Sequence, residues 1–132
     1  MFFAIKRAAA AALISFAGFS SSARSEIQDF EFQLVETEVK QGPSAIIEVR
    51  LIDKRSGRII PDAVVFAQRL DMAPDGMETM TAQIEALAVT EPGVQRFRAK
   101  ISMVGGWRLS IAAKLQGEAG TLDNKLVFKA IP

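Results

Sequence analysis

Val94-Gln-Arg-Phe-Arg-Ala-Lys-Ile-Ser-Met103, continuing as Val104-Gly-Gly-Trp-Arg-Leu-Ser-Ile-Ala-Ala-Lys-Leu115, is the stretch on which the fold turns. Phe97, Ala99, Ile101 and Met103 share one parity, while Arg96, Arg98 and Lys100 share the other. Beyond Gly105-Gly106, Trp107, Leu109, Ile111, Ala113 and Leu115 again fall in a single phase. A period of two sends alternate side chains to opposite faces of a strand, so these are two half-buried strands joined by a glycine turn.

The same period extends outward in both directions. Leu126, Phe128 and Ala130 form a further strand after the turn-rich Gly117 to Asn124. Upstream, Ala45, Ile47, Val49 and Leu51 alternate with Glu48 and Arg50, between the break at Gln41-Gly-Pro43 and the turn Asp53-Lys-Arg-Ser-Gly57. Phe30 to Lys40 reads as the first strand. Ala63 to Leu70 reads as a third, with Val64, Phe66 and Leu70 facing inward. Thr81 to Val89 reads as a fourth, with Ala82, Ile84, Ala86 and Ala88 in phase up to Pro92-Gly93. About seven short strands, regular turn signals and no sustained helical period predict an all-β, immunoglobulin-like antiparallel β-sandwich. The disulfide of antibody domains is excluded, because the chain has no cysteine.

The N-terminus predicts export. Lys6-Arg7 precede the apolar or small run Ala8 to Phe19, and Ser21-Ser22-Ala23 offers a small-residue cleavage site, the layout of a secretory signal peptide. The run is shorter than the roughly 20 residues a membrane span needs, which makes an uncleaved anchor the lesser alternative. The expected organisation is therefore a leader over 1–23 and one domain over 24–132, placed in the periplasm or secreted. Removing the leader lowers the basic residues from 16 to 14 against 15 acids, so the slight positive balance of the full chain belongs to the leader. Nothing in that balance points to nucleic acid.

Catalysis finds little to work with. Histidine and cysteine are both absent, which removes the commonest general base and the thiol nucleophile. No serine sits in a nucleophile-elbow motif, and no small-molecule substrate suggests itself. The expectation is a protein that is not an enzyme.

Methionine is the residue type left to carry chemistry. Met72, Met77 and Met80 fall within one short segment, and Met103 stands at the end of the Phe97 strand. A thioether is neutral at every pH and soft, so two or three of them suit a d10 ion of low coordination number such as Cu(I) or Ag(I). Pro74-Asp75-Gly76 reads as a tight turn that folds Met72 back toward Met77. Met103 joins them if its loop lies at the same end of the sandwich, and Asp71, Asp75 and Glu78 add negative potential around a cation. Calcium on those three acids is the weaker option, since they lack EF-hand spacing. The competing reading makes the methionines core filler, with Met72 continuing the inward phase of Leu70 and Met103 that of Ile101. Trp107 reads as core rather than as a cap over a metal, and the Arg96, Arg98, Lys100 row as the wet face of a sheet.

In order along the chain, Gly57-Arg-Ile-Ile-Pro-Asp-Ala63, Asp71-Met-Ala-Pro-Asp-Gly-Met77, Glu91-Pro-Gly-Val94 and Met103-Val-Gly-Gly-Trp-Arg-Leu109 resemble the small exported bacterial proteins of the YtkA-like or FixH-like family. The resemblance spans roughly Phe30 to Phe128. It implies a role in cation or copper handling at the bacterial envelope, beside a heavy-metal transporter or an oxidase-assembly component. On this reading Met72, Met77, Met80 and Met103 are the candidate metal ligands. The alternative is an interaction module that docks on such a membrane complex and binds no metal.

Overall fold

The computed structural model describes residues 26–132. The expected signal peptide, 1–23, lies outside the described residues. Among the described residues nine strands follow one another: β1 (Phe30–Leu34), β2 (Glu38–Lys40), β3 (Gly42–Asp53), β4 (Ala63–Met72), β5 (Met77–Ala82), β6 (Ile84–Ala86), β7 (Val94–Ile101), β8 (Gly105–Leu115) and β9 (Leu122–Ile131). They form two sheets, ordered β1-β3-β7-β6 and β2-β9-β8-β4-β5. The result is the all-β, immunoglobulin-like sandwich expected from the alternation. No helix among the described residues is long and apolar enough to cross a membrane.

The two strands that opened the sequence reading form the middle of the two layers. β7 pairs with both β3 and β6, and β8 with both β4 and β9. Their inward phases supply Phe97, Ala99 and Ile101 from one side and Trp107, Leu109, Ile111 and Ala113 from the other, all buried. Each large apolar side chain so enclosed contributes roughly 1.5–3 kcal/mol relative to exposure. Asn124 points into the same space from β9. Its Oδ1 accepts the backbone N–H of Phe32 at 2.6 Å, tying an edge strand of one sheet to the other sheet.

Four details depart from the alternation. Phe30 to Lys40 is two strands, broken over Val35 to Thr37, and β2 crosses to the second sheet, where it runs parallel to β9. Thr81 to Val89 is likewise two pieces, since the chain leaves the second sheet at Gln83 and enters the first as β6. Period two states which residues share a face but not which sheet the strand joins. In β4 the register against β8 shifts between Val65 and Ala67, a β-bulge at Phe66. The extra residue inverts the phase. Val64 and Phe66 therefore face solvent at 67% and 56% exposure, whereas Leu70 and Met72 face the core at 0%. Last, β7 ends at Ile101, so Met103 leaves the inward phase and sits in the β7–β8 turn, 38% exposed.

The row of basic residues on β7 is a solvated face, as expected. Arg96 Nε donates to Glu48 at 3.0 Å across the β3 ladder, and Arg98 pairs with Glu85 of β6. Such partly exposed pairs contribute little stability each, about 0.2–1 kcal/mol.

Candidate functional site

The segment Asp71 to Met77 makes a tight hairpin between β4 and β5. Ala73–Asp75 is a single 3-10 turn with Pro74 in its first positions, and Gly76 closes it at φ 76°, a left-handed conformation suited to glycine. The ladder then sets Met72 directly opposite Met77, so the expected fold-back of one methionine toward the other is present. Directly paired residues carry Cβ atoms roughly 4.5–5.5 Å apart.

This hairpin is fastened to the start of β8. Asp75 Oδ2 accepts the Gly106 N–H at 3.1 Å. Gly105 and Gly106 have to be glycine, because a Cβ on Gly105 would collide with the Asp75 carboxylate and stand 3.1 Å from the Met72 methyl. A Cβ on Gly106 would stand 2.8 Å from Pro74 Cβ. Gly105 also holds φ at 134°, which L side chains rarely adopt. The loop that carries Met103 is fixed from the other side. Trp107, fully buried, donates its indole N–H to the Met103 carbonyl at 3.0 Å. Trp107 is thus a core residue that anchors the Met103 backbone.

The methionines gather at one end of the sandwich but differ in access. Met72 has 0% exposure and belongs to the core; Met80 is half-buried and packs against it; Met77 and Met103 are each 38% exposed. Val104, 46% exposed, extends this rim. A shallow depression of about 460 Å³ lies beside it, lined by Thr37, Asp75, Gly105, Gly106, Val127, Phe128 and Lys129, and no methionine lines it.

The acids of the segment have other duties than those expected of them. Asp71 points to the outer face of its sheet yet has no accessible surface, because Arg69 and Arg108 cover it. Its Oδ2 accepts from Arg69 Nε and from an Arg108 terminal nitrogen, each at 3.1 Å, and its Oδ1 accepts the Ala73 N–H at 2.9 Å. Burial pushes the Asp71 carboxyl up, but the Ala73 N–H and then the Arg108 and Arg69 guanidinium groups outweigh it, and the net shift is downward. Arg69 also donates to the Glu78 carbonyl at 2.9 Å, stitching β4 to β5. Among the described residues no three His, Cys, Asp or Glu side chains converge to hold a metal, so Asp71, Asp75 and Glu78 do not make a calcium site. Sequence reasoning missed Asp75 as a clamp and Asp71 as a buried ion-pair centre. The signal available for the clamp was the Gly105-Gly106 pair, whose missing side chains mark a close approach.

Fold and junction together define a β-sandwich module with a methionine-bearing end. The family model described as YtkA-like matches residues 24–112, about two thirds of the chain, and the protein belongs to that family. Two motifs that carry the resemblance, Asp71 to Met77 and Met103 to Leu109, are therefore the two partners of the junction. Among solved structures, the Lin-41 filamin domain is similar at TM-score 0.42 and 21% identity, covering 70% of this chain and 89% of that one. The ZirS C-terminal domain is similar at TM-score 0.45 and 10% identity, covering 92% and 83%. No curated protein matches the chain.

Proposed function

We propose that this protein is an exported, non-catalytic accessory of metal handling at the bacterial envelope, binding Cu(I) or Ag(I) through methionine sulfurs and working beside a membrane transporter or an oxidase-assembly component. One observation supports it above the others: two loops far apart in sequence, each bearing an exposed methionine, are locked against each other by Asp75 and the Gly105-Gly106 pair. Soft thioethers on a fixed frame suit a monovalent d10 ion, which accepts few ligands and does not require thiolate or imidazole. Met77 and Met103 are the ligands within reach of an incoming ion, Met80 is a third at the core margin, and Met72 beneath them seats the loop.

Cu(I) titration of the exported protein under reducing conditions tests the reading, with Met77→Leu, Met80→Leu, Met103→Leu and Met72→Leu compared. One equivalent bound, with affinity lowered at least tenfold by Met77→Leu or Met103→Leu, is the expected result. Binding no stronger than that of an unrelated protein rejects it. The second reading, an interaction module that docks on a membrane complex without metal, draws on the apolar rim of Met77, Met103 and Val104 and predicts that outcome.

A further inference from the structure

The first half of β4 is an edge without a strand. β5 pairs with β4 only at Leu70, Asp71 and Met72, and at Gln83 the chain leaves for the other sheet. Ala63 to Arg69 pairs with β8 on one side, and among the described residues no strand is paired with its other side. The segment Ala63-Val-Val-Phe-Ala-Gln68 carries no charge, no proline and no glycine, and its Val64 and Phe66 are 67% and 56% exposed. Free edges with that composition pair with other strands, which is why sheet edges ordinarily carry lysine, proline or very short strands. On the other sheet the edge strand β6 follows the protected pattern, with three residues and a paired Glu85.

We propose that this edge is where a second copy of the chain binds, the two β4 strands pairing antiparallel about a twofold axis near Phe66 to join the two five-stranded sheets. The charges favour this occupant. Asp62 precedes the run and Arg69, 55% exposed, ends it, so antiparallel pairing of two copies sets the acidic end of each beside the basic end of the other. Val64 and Phe66 of both copies then come together along the seam. The bulge at Phe66 divides the pairing into two short arms, Ala63 to Val65 of one copy against Ala67 to Arg69 of the other. Such a contact is small, of the class of weak, transient interfaces under roughly 1,200 Å², so the dimer forms only at high protein concentration.

Sedimentation equilibrium of the purified exported protein, its N-terminus read by intact mass, tests this up to 1 mM, with hydrogen exchange followed over the same concentrations. A monomer–dimer equilibrium in that range, slower exchange at Ala63 to Arg69 in the dimer, and a loss of dimer affinity of at least tenfold in Val64→Lys and Phe66→Lys are expected. Val127→Lys, a change on the outer face of the same sheet away from this edge, leaves the dimer intact. Circular dichroism confirms that each variant is folded, and concentration-dependent protection in the parent chain tests the site without any variant. A monomer at every concentration, a dimer that survives both edge lysines, or one lost equally in Val127→Lys overturns the proposal.

Discussion

The two halves of β4 face opposite fates. Leu70, Asp71 and Met72 are three consecutive residues with no accessible surface, although strand geometry sends Asp71 to the solvent side. A few residues earlier, Val64 and Phe66 are among the most exposed apolar side chains of the described residues. Hydropathy does not separate the halves, since Phe66 is more apolar than Asp71. What separates them is the company: β5 and the Arg69 and Arg108 guanidinium groups on one side, an unpaired edge and a bulge on the other. Burial in a sheet is thus set by neighbouring strands and register as much as by the residue itself.

Leu70→Ala against Phe66→Ala is the sharpest way to break this comparison. The first is expected to cost about 2–5 kcal/mol, as truncations in a closed core do, and the second under about 0.5 kcal/mol, both read by urea unfolding of the monomer at low concentration. Equal costs would mean that the halves are not energetically distinct. Next in size is Asp71→Asn, expected to cost about 2–3 kcal/mol near neutral pH because it weakens charge-assisted bonds to two arginines and the Ala73 N–H. The sign with pH follows from the lowered carboxyl pKa. Asp71 contributes fully above its unfolded value of about 3.9, and the contribution fades as pH falls through the lower folded value. The gap between parent and variant therefore narrows below about pH 4, and a gap constant down to pH 2 would contradict the assignment. Gly105→Ala follows, at about 1–3 kcal/mol, from a left-handed backbone position and the collision with Asp75. In that variant the Gly106 amide should also exchange faster, as the Asp75 clamp opens.

Much of the fold was legible because each central strand buries one face and wets the other. Phe97 to Ile101, Trp107 to Leu115 and Ala45 to Leu51 alternate cleanly, and the structure buries the phase they mark. Where alternation misled, it was silent about partners. Ala82, Ile84 and Ala86 keep their phase across Gln83 while the chain changes sheets, and Phe66 resembles its inward neighbours until the bulge inserts one residue. The methionine end was half legible. The Pro74-Asp75-Gly76 turn and the opposition of Met72 and Met77 follow from local chemistry. The meeting of that turn with Gly105-Gly106, roughly thirty residues on, depends on β4 and β8 being neighbours, which no local pattern encodes.

The parallel pairing of β2 with β9 carries a consequence in time. Lys129 donates its N–H to the Thr37 carbonyl at 2.9 Å, and Gln41 donates to the Ile131 carbonyl at 2.8 Å, so β2 is completed only by β9, far along the chain. Until β9 is made, β2 has no ladder to join. Contacts this distant in sequence slow the search for the native state. Closing the second sheet at β2 is thus a late event, fixed by the register rather than by any local preference.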